Sequence, residues 1–499
     1  MHFPKQFLLA KTPLKISPLW RQVQYLGWWL SLAPEVQLIK VLDSNDKTIG
    51  LIIGWPLFRG RLLKDGDTIR AASRKKGLAV EYEEIAGRFL YFFQYRKKLA
   101  VVTDAAGLMP LVYSPEHSTA ASTPAVLQRL VRLEQDEKIC NAFAEGKRET
   151  WYPFGVTPYL GVRRLLPNHR LTIADGRCER FFPLPGDVEL RGQPDVTIQD
   201  VCDIITQWVS ENVKALVNAG HNVAHLTGGF DSRMILAASR DLYPRMRFQT
   251  IRQNDTRNRL DCHIAHRIAR KFDLDYQRLE FIPPDTEEMK DWLIRTGHCI
   301  EDSISAFCTT ARVYNQHCHE LTGTCGEAMR AVFWYPGDDQ LQELTPREFM
   351  HRVEIPVNEV TTDLCRKWLA GLPPGISVGN LLDIAYIELR VACWAGPSMY
   401  GHDITYPSIS PFSGARYYKA ILSLPEKLRM ENMLASAFVK SLWPELLQFP
   451  VNRASGLARL RFLSQEIRRM LPIQQRDQVK RILQTIRRRK PEVHGRFQS

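Results

Sequence analysis

The sequence predicts a mixed α/β protein in which an antiparallel-sheet half precedes a parallel-sheet half. Short runs rich in β-branched and aromatic residues fill the chain up to about residue 130, and strands alternate with helices beyond Asp195. The length of 499 residues, at roughly 150 residues per domain, agrees with two or three domains and an ample hydrophobic core.

The composition is that of a folded globular protein and indicates an anionic partner. Hydrophobic residues make up 44% of the chain and charged residues 24%, which excludes a disordered chain or a fibrous repeat. Lys and Arg number 67 against 54 Asp and Glu, so the formal net charge is +13. This charge favours a nucleotide, a nucleic acid or a membrane surface as partner without choosing among them.

The cysteine usage and the N-terminal residues predict a cytoplasmic protein. Ten cysteines lie between Cys140 and Cys393 without any C-x-x-C pair, so we expect reduced thiols rather than a disulfide framework or a zinc ribbon. The first residues lack the pattern of a signal peptide, and the best later apolar run, 25–33, is too short for a membrane span.

The first half, residues 1–130, is predicted to be antiparallel because its strand-like runs are separated by Gly, Asp or Lys pairs. These runs are LIIGWPLF (51–58), RFLYFFQY (88–95) and LAVVTD (99–104). Residues 131–195, which contain a turn at Asp175-Gly176, are interpreted as a connector with strand-turn elements.

The second half, residues 196–455, is predicted to form a parallel sheet because strands and helices alternate with short turns between them. Predicted helices cover 204–219, 232–240, 261–272 and a stretch from Glu287, and predicted strands are NVAHL (222–226), MRFQTI (246–251) and YQRLEF (276–281). In such sheets ligands bind beyond the carboxyl ends of the strands. Residues 456–499 are predicted to be a basic amphipathic helical tail.

The most informative stretch is NVAHLTGGFDSRMIL (222–236), in which a strand runs through two glycines into a helix. Gly228 and Gly229 let backbone amides approach an anion, and the helix start adds its positive dipole end. Thr227 and Ser232 offer hydroxyl donors, and Asp231 either caps the helix or binds Mg²⁺. The pattern predicts a pyrophosphate-binding loop. The alternative is a plain glycine turn with Asp231 as helix cap.

Several segments resemble the asparagine synthetase family, whose synthetase domain cleaves ATP between the α and β phosphates. LTGGFDSR (226–233) is similar to its S-G-G-x-D-S loop, and LTGTCGE (321–327) to its L-S-G-E-G-A-D segment. SPFSGARYYKAILSLPEKLR (410–429) is similar to V-P-F-L-D-x-R and S-L-P-x-x-L-K. Residues 86–114 and 161–173 resemble the end of the glutaminase domain and the G-V-x-x-L-P-P-G-H-x-L segment. The resemblance spans about residues 50–455.

The resemblance implies a fold, cofactors and site residues. It implies an antiparallel Ntn-type, glutaminase-like sandwich over 1–130 and a doubly wound PP-loop ATP pyrophosphatase (adenine nucleotide alpha hydrolase-like) domain over 196–455. ATP and Mg²⁺ are the implied cofactors. The implied nucleotide-binding residues are Leu226, Thr227, Gly228, Gly229, Asp231, Ser232, Thr250, Ile251, Thr322 and Gly323; Asp231 and Glu327 are the implied metal ligands; Arg390, Lys440 and Arg453 are the candidate catalytic residues.

The sequence also departs from the family pattern. His2 stands where the family has its glutaminase cysteine, so we expect the sandwich to be inactive toward glutamine. Thr324 replaces a family glutamate, and the family lysine near the end of the domain falls on Val451, with Lys440 or Arg453 as the nearest cations.

The resemblance implies an AMP- and pyrophosphate-forming amide-bond ligase that adenylates a small-molecule or peptide carboxylate and transfers it to ammonia or a substrate amine. One alternative is a catalytically degenerate nucleotide-binding scaffold, and another is an RNA-modifying enzyme that uses the basic tail, although nucleic acid is not the expected partner. The tail could contact an anionic surface peripherally. The scattered Cys and His residues between 262 and 319 fit no usual zinc spacing, and we expect structural roles for them.

Overall fold

The computed structural model describes residues 3–14, 16–71, 74–75, 78–144, 150–187, 192–253, 256–301, 312–313 and 318–451. The chain divides into two compact units, Met1–Gln448 and Phe449–Ser499. Every element named below lies in the first unit. It combines two large antiparallel sheets with one parallel sheet, which confirms the mixed α/β class.

Strands are the main regular elements of the first half of the chain. They are β1 (Phe7–Ala10), β2 (Arg21–Tyr25), β3 (Trp28–Leu32), β4 (Gln37–Leu42), β5 (Thr48–Phe58), β6 (Arg61–Leu62), β7 (Thr68–Arg70), β8 (Arg74–Lys75), β9 (Leu78–Ala79), β10 (Ile85–Tyr95), β11 (Lys98–Thr103), β12 (Val112–Ser114), β13 (Thr119–Ala121), β14 (Thr150–Trp151), β15 (Arg163–Arg164), β16 (His169–Thr172) and β17 (Arg177–Arg180). Two short helices, α1 (Pro124–Leu127) and α2 (Glu137–Ala144), interrupt them.

Most of these strands form two facing sheets with the orders β15-β12-β13-β1-β3-β2 and β17-β16-β11-β10-β5-β4-β7, in which every neighbouring pair is antiparallel except β4 and β7. Alternate side chains of each sheet point into one shared core, as the period of two requires. Phe92 on β10 lies opposite Leu51 on β5 and Val101 on β11, and its ring meets Phe7 of the other sheet edge-on at 6.5 Å. β15, β16 and β17 come from the segment interpreted as a connector, yet they complete the edges of both sheets.

The parallel sheet has the order β20-β19-β18-β22-β23. Its strands are β18 (His221–His225), β19 (Met246–Arg252), β20 (Tyr276–Glu280), β22 (Cys318–Leu321) and β23 (Ser408–Ile409), and β21 (Ile300–Glu301) pairs outside it with β14. The chain winds outward from β18 to β20 and then returns to the other side of β18, so the strand order reverses between β18 and β22. Open sheets of this kind bind ligands at such a reversal, beyond the carboxyl ends of the strands.

The helices of the second half are α3 (Ile198–Ala219), α4 (Phe230–Ala238), α5 (Thr256–Phe272), α6 (Thr286–Thr296), α7 (Pro346–Arg352), α8 (Glu359–Ala370), α9 (Val378–Ala385), a π-helix over Tyr386–Ala395, α10 (Gly396–His402), α11 (Ala415–Ser423), α12 (Glu426–Arg429) and α13 (Met433–Leu442). α3 begins six residues before the predicted start because Thr197 and Asp200 form a capping box. Across the described ranges, no helix is both long enough and apolar enough to cross a bilayer.

The two halves contact each other directly through β10. The Gly87 amide donates to the Ser413 hydroxyl at 2.7 Å, and that hydroxyl donates back to the Gly87 carbonyl at 3.0 Å. Gly87 has a φ of 92°, and a Cβ there would lie 2.3 Å from the Trp55 carbonyl oxygen, so only glycine fits. This close approach explains why β10 is buried along nearly its whole length.

Candidate functional site

The loop after β18 is a compact turn whose polar groups are satisfied within the protein. The Thr227 amide donates to Ser232 Oγ at 3.0 Å, and the two hydroxyls lie 3.0 Å apart. The Gly228 amide donates to Asp261 Oδ1 at 2.9 Å, and the Gly229 amide to Thr227 Oγ1 at 3.2 Å. The predicted phosphate donors are therefore in place, and each has an internal partner in this state.

Two side chains of α5 pack closely against Gly228 in this loop. A Cβ at Gly228 would lie 2.8 Å from Asp261 Oδ1 and 2.9 Å from Ile264 Cδ1, both on α5. The buried Arg233 holds the carbonyl side of the same residue, because its Nη2 donates to the Gly228 carbonyl at 3.1 Å. The loop is thus fixed from two sides before any ligand arrives.

Asp231 does not cap helix α4. Gly229 holds the N-cap position, where no side chain accepts a capping hydrogen bond, and the Asp231 carboxylate turns to Arg330 instead. Arg330 Nη2 donates to Asp231 Oδ2 at 2.8 Å and to Glu327 Oε1 at 3.1 Å. The two predicted metal ligands, one after β18 and the other after β22, therefore meet at one cation.

The strand order of the sheet and two neighbouring glycines bring Asp231 and Glu327 together. β18 and β22 are adjacent and parallel, so the loops that follow them leave the sheet side by side. A Cβ at Gly323 would lie 2.9 Å from Asp231 Cβ, and one at Gly326 would lie 3.1 Å from Asp231 Oδ1. The absence of a side chain at both positions gives the Asp231 carboxylate its room.

A cavity of about 290 Å³ opens beside these carboxylates. Its lining combines the two loops with one face of the π-helix: Asp231, Gly323, Thr324, Glu327, Tyr386, Arg390, Val391, Trp394 and Ala395. Hydrogen bonds in a π-helix run from i to i+5, so residues four and five apart share a face. π-helical turns are frequent at functional sites.

Arg390 occupies one wall of the cavity between two indoles. Its guanidinium carbon lies 4.7 Å from the Trp151 ring centroid and 4.2 Å from that of Trp394. Stacking on aromatic faces restrains the plane of a guanidinium. Arg390 is therefore a preorientated cation at the wall of the cavity.

The electrostatics of the carboxylates follow from burial and mutual repulsion. Burial raises the pKa of Asp231 to about 7; the Glu327 carboxylate acts in the same direction, and Arg330 opposes both. Burial also raises the pKa of Tyr386 well above its usual value, so its hydroxyl stays protonated and donates to Glu327 Oε2 at 3.1 Å. A bound cation would favour the charged form of Asp231.

The remaining predicted nucleotide-binding residues lie around the same sheet edge. Leu226, Thr250 and Ile251 are buried at the carboxyl ends of β18 and β19, where the Thr250 hydroxyl donates to the Leu226 carbonyl. After β22, the Thr322 hydroxyl lies 2.8 Å from that of Thr324, the residue that replaces the family glutamate.

The predicted cations differ in their placement. Arg390 lines the cavity, whereas Lys440 is exposed near the end of α13 and is not among the lining residues. Arg453 and the basic tail from 456 lie outside the described residues, as does His2.

Sequence reasoning missed three residues that shape the site: Arg330, Tyr386 and Asp261. Arg330 had a signal, because it follows Glu327 by three residues and helical neighbours at that spacing meet. Tyr386 lies four residues before Arg390, which is the corresponding signal on the π-helix. Asp261 had none, since only the packing of α5 brings it to the loop after β18.

The residues present suit a magnesium nucleotide. Mg²⁺ in phosphate-binding sites takes one or two carboxylates together with phosphate oxygens, and Asp231 Oδ1 is buried with no hydrogen-bond partner in the described structure. No group of three or more Cys, His, Asp or Glu side chains within the described ranges could hold a metal by itself. Asp231 and Glu327 would thus share the ion with its phosphate ligands.

The geometry of this site is the basis on which a function is assigned. No protein-family model matches the chain, and no curated protein matches its sequence.

Proposed function

We propose that this protein is an asparagine synthetase-like, ATP-dependent ligase that forms an amide bond and releases AMP and pyrophosphate. The observation that carries the proposal is the meeting of Asp231 and Glu327, from the two loops that resemble family motifs, at one cation beside one cavity. Chance resemblance of two short segments would not require their side chains to converge.

The proposal includes a specific architecture for each half of the chain. The strand order, with both loops at its reversal point, supports a doubly wound PP-loop domain of the ATP pyrophosphatase type. The two facing antiparallel sheets support an Ntn-type, glutaminase-like sandwich. Strands β1 to β13 contain no cysteine, so we propose that the sandwich is structural and that the amine is free ammonia or part of the substrate.

Each site residue has a role in the proposed reaction. The Gly228 and Gly229 amides would hold the phosphates after leaving Asp261 and Thr227. Asp231 and Glu327 would hold Mg²⁺, which supplies neutralisation of phosphate charge when bound. Arg390, with its plane fixed by two indoles, would stabilise the negative charge that develops when the substrate carboxylate attacks the α-phosphorus.

One observation favours the second candidate, a nucleotide-binding scaffold without catalysis. The hydroxyls of Thr227 and Ser232 lie within hydrogen-bond distance of each other, and Arg330 contacts both acids, so the groups that would bind nucleotide and metal already have partners within the protein. Thr324 also provides no carboxylate where the family has one. Such a protein would bind ATP and release no pyrophosphate.

The test is exchange of labelled pyrophosphate into ATP by the purified protein with Mg²⁺, screened over amino acids, peptides and uronic acids. Exchange that depends on one class of carboxylate, and that Asp231→Asn abolishes, is the expected result. Asp275→Asn is the matched control, because Asp275 is an exposed acid at the far end of the sheet, before β20. ATP binding without exchange over the whole panel would support the scaffold instead.

A further inference from the structure

Arg330 bonds to two different carboxylates. A single nitrogen, Nη2, serves both Asp231 and Glu327, at 2.8 and 3.1 Å. By contrast, Arg352 uses two nitrogens on the two oxygens of Asp338, at 3.0 and 2.8 Å. Two parallel hydrogen bonds are the stable arrangement of a guanidinium with a carboxylate.

The contact also leaves hydrogen-bonding capacity unused on both sides. Arg330 Nε and Asp231 Oδ1 are buried, and neither has a hydrogen-bond partner in the part of the chain that the structure describes. An unpaired buried polar atom costs free energy, and a partner that bonds to Asp231 Oδ1 would recover that cost. The arrangement around Arg330 is therefore incomplete as a structural ion pair.

The charges around Arg330 and its position in the chain indicate which ligand would complete this arrangement. Two carboxylates that face one cavity repel each other, and Arg330 is the cation that compensates them without a ligand. The side chain keeps 16% of its surface exposed, and its residue ends the 3₁₀ turn Gly326–Arg330 before Ala331 at a φ of 49°. It can thus leave the acids without unfolding a regular element.

We propose that Arg330 is an internal counter-cation that a divalent metal ion displaces, and that the released guanidinium then binds the phosphates of the nucleotide. This inference rests on the proposed function for the identity of the ligand. Arg330 would therefore have two successive anionic partners, first the carboxylates of the protein and then the phosphate oxygens of the nucleotide. The planar guanidinium, with its several N–H donors, is suited to bind both kinds of group.

The experiment measures binding and does not require turnover. Mn²⁺ binding is followed by electron paramagnetic resonance on the full chain without nucleotide, and ATP binding by calorimetry with Mg²⁺. The variants are Arg330→Gln, which removes the charge at similar size, and Arg330→Lys, which keeps it. Arg252→Gln is the matched control, because Arg252 contacts Glu280 through one nitrogen at an exposed site.

We expect Arg330→Gln to tighten Mn²⁺ binding about tenfold, since the ion no longer competes with a resident cation, and to weaken ATP binding about tenfold. Arg330→Lys should keep Mn²⁺ affinity within about threefold of the wild type, since it retains the charge. Unchanged Mn²⁺ affinity in Arg330→Gln, or unchanged ATP affinity, overturns the proposal. If both affinities shift as expected but the wild-type protein exchanges no pyrophosphate, the role of Arg330 is upheld and the proposed ligase function fails.

Because the substitutions could disturb folding, the urea unfolding midpoint of each variant is compared with that of the wild type. Arg330→Lys provides the second safeguard, since a folded protein that keeps the charge but binds Mn²⁺ as tightly as Arg330→Gln would also contradict the proposal.

Discussion

Arg88 on β10 and Asp403 after α10 form a bidentate ion pair although they lie 315 residues apart in the chain. The bonds measure 2.8 and 2.7 Å, and neither side chain has any exposed surface. Arg88 Nε also donates to the Leu108 carbonyl at 2.9 Å, and Lys5 Nζ to the Asp403 carbonyl at 2.8 Å. The pair therefore joins the sandwich to the half that carries the cavity.

The first prediction concerns the stability of this junction. Arg88→Met should lower the free energy of unfolding by about 3–5 kcal/mol, because it leaves Asp403 as a buried charge without its partner. The double variant Arg88→Met with Asp403→Leu should recover part of that loss. Urea unfolding followed by tryptophan fluorescence measures both. Arg247→Met, which breaks the exposed pair with Asp275, should change stability by less than about 1 kcal/mol.

The second prediction concerns the space around Asp231. Gly323→Ala places a methyl group 2.9 Å from Asp231 Cβ, so the carboxylate must shift. We expect ATP affinity in the presence of Mg²⁺ to fall about tenfold or more, measured by calorimetry, while the protein stays folded. Gly371→Ala is the control, since its φ is −80° and the nearest atom would lie 3.3 Å away. Equal ATP affinity in the two variants would contradict the assigned site.

The third prediction separates the role of Arg390 from nucleotide binding. Arg390→Lys keeps the charge but loses the planar group stacked between Trp151 and Trp394. Carboxylate-dependent pyrophosphate exchange should fall by about one to two orders of magnitude, because the cation is no longer fixed where charge develops. ATP affinity should stay the same. A parallel loss of ATP affinity would instead place Arg390 on the nucleotide.

The fourth prediction is a pH dependence of stability. Burial lowers the pKa of His402 to about 4, and the nearby carboxylates of Glu320 and Asp403 oppose this fall while Arg88 and His225 add to it. An unfolded histidine has a pKa near 6.5, so the unfolded chain takes up this proton first as the pH falls. The stabilisation is present above about pH 6.5 and is lost between there and about pH 4, by at most about 3 kcal/mol for this half-buried group.

The measurement for His402 is the urea unfolding free energy at intervals between pH 7 and pH 4. His402→Asn should show a shallower loss of stability over this range than the wild type, whatever its absolute stability. His263→Asn removes an exposed histidine on α5 and should keep the wild-type slope. Parallel slopes for His402→Asn and the wild type would show that another group carries the titration.

Local sequence patterns were sufficient to predict many of the individual strands. The runs at 51–58, 88–95 and 99–104 became β5, β10 and β11, because β-branched and aromatic residues favour strands, and most residues of these strands are buried on both faces. The strands at 222–226, 246–251 and 276–281 likewise lie within a residue of β18, β19 and β20. Segment 131–195 was harder, because strands as short as β15 are defined by their partners rather than by their own residues.

The sequence by itself determined the alternation of strands and helices, the glycine loop at 227–229 and the acids at Asp231 and Glu327. These depend on residues close in the chain, where backbone freedom, side-chain period and capping operate. Tertiary structure alone decided that Arg330 reaches Asp231 as well as Glu327, that Asp261 holds the Gly228 amide and that Arg390 contacts Trp151. Those contacts depend on strand order and on the packing of distant helices, which no local pattern encodes.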